Sequence, residues 1–173
     1  ELTESISKKY HCTIDEFEYR CLEGENESYV AQIIRHDMID EFVVHLNKTN
    51  DKRNSRIQPS IYETNSFLLE NNPTMIEYAA FHGSIQIFQY LRLQGVDLRS
   101  ILWCYAIHSR SGDLIHLLEE NFPKKERPSM EILNESIKCH HNDIANYIIE
   151  NIVNDQILIE SINCEFDTKP NNK

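Results

Sequence analysis

Apolar residues recur along most of this chain at spacings of three and four, the signature of helices that bury one face, and they fall into short paired runs divided by a tight turn. The clearest pair spans Thr74 to Leu98. Thr74 and Glu77 form a T-x-x-E capping box, in which hydroxyl and carboxylate each satisfy a backbone N–H left over at a helix start, so a helix is predicted from Met75. Ile76, Ala79 and Ala80 share one face of it, and the two alanines let a neighbouring helix approach closely. Gly83 supplies a residue able to take positive φ at the turn and Ser84 can cap the second helix. Ile87, Phe88 and Leu91 form that helix's apolar stripe, and Gly95 ends it.

The unit repeats. Ala106 stands 27 residues after Ala79 and is followed by Leu114, Ile115, Leu117 and Leu118; Ser136 stands 30 residues further on and is followed by Ile144, Tyr147 and Ile148. Residues 132–139, ILNESIKC, return almost unchanged as residues 157–164, ILIESINC, which predicts the start of another unit. Upstream, Tyr29 to Lys48 fits an inner helix ending near His36 and an outer helix with Phe42, Val43 and Leu46, with Asp37 where the turn glycine would stand. Ser60-x-x-Glu63 is a second capping box and predicts a helix over SIYETNSFLLE; Thr13-x-x-Glu16 is a third and predicts a short helix through Tyr19 to Leu22. The expected organisation is a helical N-terminal cap over 1–28, a degenerate first repeat plus an extra helix over 29–72, repeats over 73–151, and the start of a further repeat over 152–173.

The helical periods, with only four Gly and five Pro, predict an all-α chain with almost no strand. A net charge of −11 argues against nucleic acid, whose phosphates are held mainly by Lys and Arg, and favours a basic or polar protein surface as partner. The acid-rich run at 15–27 and the basic loop KTNDKRNSR read first as solvated surface. No segment resembles a signal peptide or is long and apolar enough to span a bilayer, and the five cysteines (Cys12, Cys21, Cys104, Cys139, Cys164) lack any CxxC pair. A reducing compartment, cytoplasmic or nuclear, is expected, with no membrane partner. The missing initiator Met and the abrupt end suggest a piece of a longer protein.

The pattern T-x-x-E-x-A-A-x-x-G, an aliphatic second helix and then Gly95 and Asp97 resembles the ankyrin repeat. Met75 and Glu77 replace the Pro and His usual there, so the turn between repeats is expected to be irregular. The phrases YHCTIDEFEYRCLEGEN, IYETNSFLLENNPT, IEYAAFHGSIQIFQYL, LWCYAIH and ESIKCHHNDIANYI further resemble a protist ankyrin-like family, expanded in trichomonads, whose shared domain has no assigned function. The resemblance covers Tyr10 to about Asn151. It implies an ankyrin-like helical solenoid with an atypical N-terminal cap, acting as a non-catalytic scaffold that binds another protein through the concave face of its inner helices. A substrate-recruiting adaptor fragment of a longer protein is the alternative.

In the ankyrin pattern the two residues before the turn glycine point into the groove. Carried over, these are Phe81 and His82, His108 and Ser109, Lys138 and Cys139, and, in the first repeat, Arg35 and His36. An exposed Phe with His and Arg beside it has the composition of a binding hot spot. The Pro-bounded basic segment NFPKKERPS adds Lys124 and Lys125, where family members place finger-like contacts. A metal at Cys139, His140 and His141 is not expected, because adjacent residues on a helix diverge and no C-x₂₋₄-C or H-x₃₋₅-H spacing completes a ligand set. No catalytic motif is present either: Cys104 and His108 lie within reach at i, i+4, but Cys104 beside Trp103 reads as a core thiol, so no cofactor and no enzyme activity are expected. The truncated C-terminal face leaves a monomer, or weak self-association through it, as the expected state.

Overall fold

The computed structural model describes residues 12–49, 52–123, 127 and 129–153. Among these, every named element is helical and the only β-type pairing is a single bridge between Arg56 and Thr74. The all-α expectation holds. The second copy of the ILNESIKC phrase, Lys124 and Lys125 lie outside the described residues.

Two compact units divide the chain: residues 1–79 with 86–96, and residues 80–85 with 97–173. In the first, helix α1 (Ile14–Glu23) starts on the predicted capping box, with the Thr13 N–H donating to the Glu16 carboxylate at 2.9 Å and the Glu16 N–H to the Thr13 hydroxyl at 3.3 Å. It ends at Gly24, where φ is +68° and an added Cβ would meet the Thr64 hydroxyl oxygen at 2.6 Å. Helices α2 (Tyr29–Arg35) and α3 (Ile39–Thr49) pack as the degenerate pair, burying Ala31, Ile33 and Ile34 on one and Phe42 and Leu46 on the other.

The second predicted capping box does not start a helix. The Ser60 hydroxyl is bonded to the Glu27 carboxylate and accepts the Tyr62 N–H, while Glu63 accepts the Asn65 N–H at 2.9 Å. Both box residues are thereby spent on a bend that buries Tyr62, and the helix, α4 (Ser66–Asn71), begins instead on Asn65, whose side chain accepts the Leu68 N–H. Ahead of the Thr74–Glu77 box the backbone is tied by two bonds: Ile57 N–H donates to Pro73 O at 2.8 Å and Met75 N–H to Ser55 O at 3.0 Å. The buried Glu77 carboxylate accepts the Thr74 N–H at 2.8 Å, the carboxylate half of the predicted box.

Helix α5 (Met75–His82) and helix α6 (Ile85–Leu93) follow, with Ile87, Phe88 and Leu91 buried as predicted. In the second unit α7 (Leu102–Ser109) packs on α8 (Gly112–Asn121), and α9 (Ser129–Lys138) packs on both α7 and α10 (Asn142–Ile148), which runs into a π-helical turn, Ile149–Val153. The repeat positions Ala79, Ala106 and Ser136 are all fully buried, and Leu114 and Ile144 are buried on the second helices. The turn within each helix pair contains one left-handed residue: Asp37, Gly83, Arg110 and His140, with φ of 51°, 72°, 55° and 57°. Only one of the four is glycine.

Candidate functional site

The ends of α5, α7 and α9 bring four of the predicted groove residues, Phe81, His108, Lys138 and Cys139, close together. The ring of Phe81, at the end of α5, stacks on His108 at the end of α7, with centroids 4.9 Å apart and planes 27° from parallel. Phe81 is half-buried by this contact, where an exposed ring was expected. His108 in turn meets the end of α9: the Cys139 Sγ lies 3.6 Å from its Nδ1, and its Nε2 lies 3.0 Å from the Glu135 Oε1. The exposed Lys138 donates to the other Glu135 oxygen at 3.1 Å.

The protonation of this row follows from burial. Desolvation lowers the His108 pKa and outweighs the opposing pull of Glu135, so at neutral pH the ring is an uncharged imidazole rather than one half of an ion pair. Its Nε2–H then donates to Glu135, while the Cys139 sulfur lies beside the ring, 3.6 Å from Nδ1 and 3.7 Å from Nε2. Burial, and after it Glu135, pushes the Cys139 thiol up from its ordinary value. Lys138, paired with Glu135, is raised.

A Cys–His–Glu chain could in principle activate a nucleophile. Here the chemistry runs against that. Cys139 sits just beyond the C-terminal end of α9, where the helix dipole is negative and disfavours a thiolate, and its neighbour His108 is uncharged. Cys104, four residues before His108 on α7, is a buried core thiol whose pKa is pushed up to about 11 by burial and then by Glu135 and Glu131. His108 turns toward Glu135 and Cys139.

The remaining predicted site residues are placed elsewhere. His82 flanks the row, edge-on to Phe81 at 5.0 Å. Ser109 builds the turn, its hydroxyl donating to Ala106 O at 2.7 Å and accepting the Ser111 N–H at 3.1 Å. Arg35, predicted as a groove residue, is a structural clamp in the first unit: its guanidinium donates to Asn26 O at 2.7 Å and the Tyr78 hydroxyl at 3.1 Å and pairs with Glu25 at 2.9 Å. With three partners and a side chain only 10% exposed, it presents little to a ligand. His36 is exposed beside it in sequence. Around NFPKKERPS, Phe122 packs on Trp103 with centroids 6.2 Å apart and Arg127 lies 5.9 Å over the same ring while donating to Glu119 O at 2.8 Å, so both flanks are pinned to the core. His141 bonds the Ile107 carbonyl at 3.0 Å.

Sequence reasoning missed Glu135. Its signal was the i, i+4 spacing to Cys139, which places both on one helical face, and the return of Glu and Cys at the same spacing in ILIESINC.

No family model, no curated protein and no solved structure matches the chain.

Proposed function

We propose that this chain is a non-catalytic protein-binding module of ankyrin-like repeats, acting inside the cell and engaging its partner through the inner-helix face that carries Phe81, His108, Lys138 and Cys139. The observation that supports this reading most is the row itself: Phe81 and His108, 27 residues apart at one repeat position, stack on each other, and Cys139, 31 residues after His108, lies against the same imidazole. Recurrent left-handed turns and buried small residues at the repeat positions are what stacked ankyrin-like units require. The free cysteines among the described residues suit a reducing compartment. None of the described helices is long and apolar enough to cross a membrane.

The test is affinity capture with the whole chain, wild type beside a Phe81→Ala, Lys138→Ala variant that melts like wild type. A protein retained by the wild type, lost by the variant and bound again when both components are pure would support the reading. Identical retention by both would sink the groove as the site.

A further inference from the structure

We propose that His108, Glu135 and Cys139 bind one Zn²⁺ ion, through an imidazole nitrogen, one carboxylate oxygen and the sulfur, leaving a fourth position open to solvent or to a ligand from outside. This goes beyond the protein-binding reading and does not depend on it. The three side chains come from two packed helices, and their donor atoms lie within 4.8 Å of one another. The Nε2 of His108 is 3.0 Å from the Glu135 oxygen and 3.7 Å from the Cys139 sulfur. Ligand atoms bound tetrahedrally to zinc at ~2.0–2.3 Å stand about 3.3–3.6 Å from each other, so changes in side-chain torsion suffice to close the shell.

Three further features favour a cation of this class. His108 lies in the last turn of α7 and Cys139 immediately follows α9, so the negative ends of two helix dipoles meet at the cluster. One thiolate and one carboxylate balance a divalent charge, which a site with His108 and Glu135 only 15% and 12% exposed requires. A mixed nitrogen, oxygen and sulfur set suits zinc and does not suit magnesium or calcium, which take oxygen alone. Lys138 holds the second oxygen of Glu135, so the carboxylate offers the ion one oxygen in a fixed orientation. On binding, the Cys139 S–H bond is replaced by S–Zn and the proton leaves to solvent, while the His108 proton moves to Nδ1 and frees Nε2.

The experiment uses the reduced, chelator-treated whole chain titrated with Co²⁺ as a spectroscopic substitute, then with Zn²⁺. One equivalent of Co²⁺ should produce a thiolate-to-cobalt charge-transfer band and the ligand-field bands of a four-coordinate ion, and Zn²⁺ should erase both. Cys139→Ser should abolish the charge-transfer band, and His108→Gln and Glu135→Gln should weaken binding at least ~10-fold. Cys21→Ser and His116→Gln should change nothing. A missing band in the wild type, or a band that persists in Cys139→Ser, would overturn the proposal. Wild-type chain gives an answer even if a variant fails to fold: Zn²⁺ should shield Cys139 from alkylation while Cys21 stays reactive, and a Cys139 left equally reactive overturns the site.

Discussion

Asp37 replaces a turn glycine and takes on a second task that glycine cannot perform. Its backbone adopts a φ of 51°, a left-handed conformation that Asp and Asn visit more readily than most residues, and its carboxylate reaches 49 and 50 residues ahead to accept the N–H groups of Gln86 and Ile87, both at 3.0 Å, at the start of α6. Asp37→Ala removes the cap and puts a Cβ-bearing apolar residue in the left-handed region. A loss of about 1–2 kcal/mol in urea unfolding is expected, and a smaller loss for Asp37→Asn, which keeps one acceptor. At Cys104 the consequence is one of pH. The folded chain holds the thiol proton to about 11, whereas an unfolded thiol releases it near ~8.5. The unfolded state therefore deprotonates first, so stability that is complete below ~8.5 declines as pH rises toward about 11. Melting temperatures across that window should fall less steeply in Cys104→Ala than in wild type.

At the scale of elements, the repeat position decides how much substitution a helix tolerates. Ala79, Ala106 and Ser136, which the sequence pattern aligns, are all fully buried, so each of these helices carries a small residue in its packed face. Ala79→Glu would place an unpaired carboxylate there at a cost of several kcal/mol against a total of ~5–15, and we expect the cooperative thermal transition followed by circular dichroism to vanish. Ser136→Ala should stay within ~1 kcal/mol of wild type by the same measurement, because the hydroxyl only supplements a helical carbonyl, that of Leu133, at 2.7 Å. The contrast between the two variants tests the repeat alignment itself. Capping boxes were legible unequally. Thr13 with Glu16 formed the whole box, whereas Ser60 was drawn to Glu27, 33 residues away, and its helix started later.

For the whole molecule, the charge of −11 outweighs any local basic loop. A labelled DNA duplex at low salt should show no rise in fluorescence anisotropy on addition of the chain, since too few cations are available to displace its counterions. Local grammar in the sequence was enough for the all-helical character, the paired units and the buried face of each helix, because capping, turn residues and apolar period act within a few residues of one another. That Phe81, His108 and Cys139 come together was legible in part, since the spacing of the helix pairs put them at corresponding helix ends. Tertiary structure alone decided what those positions do. Arg35 became a clamp once Glu25, Asn26 and Tyr78 surrounded it, and His108 joined Glu135 and Cys139 only when α7 packed on α9. The Arg35–Tyr78, His108–Glu135 and His108–Cys139 contacts join residues 27 to 43 positions apart, and a side chain's partner at such range is set by packing between helices, which no local pattern encodes.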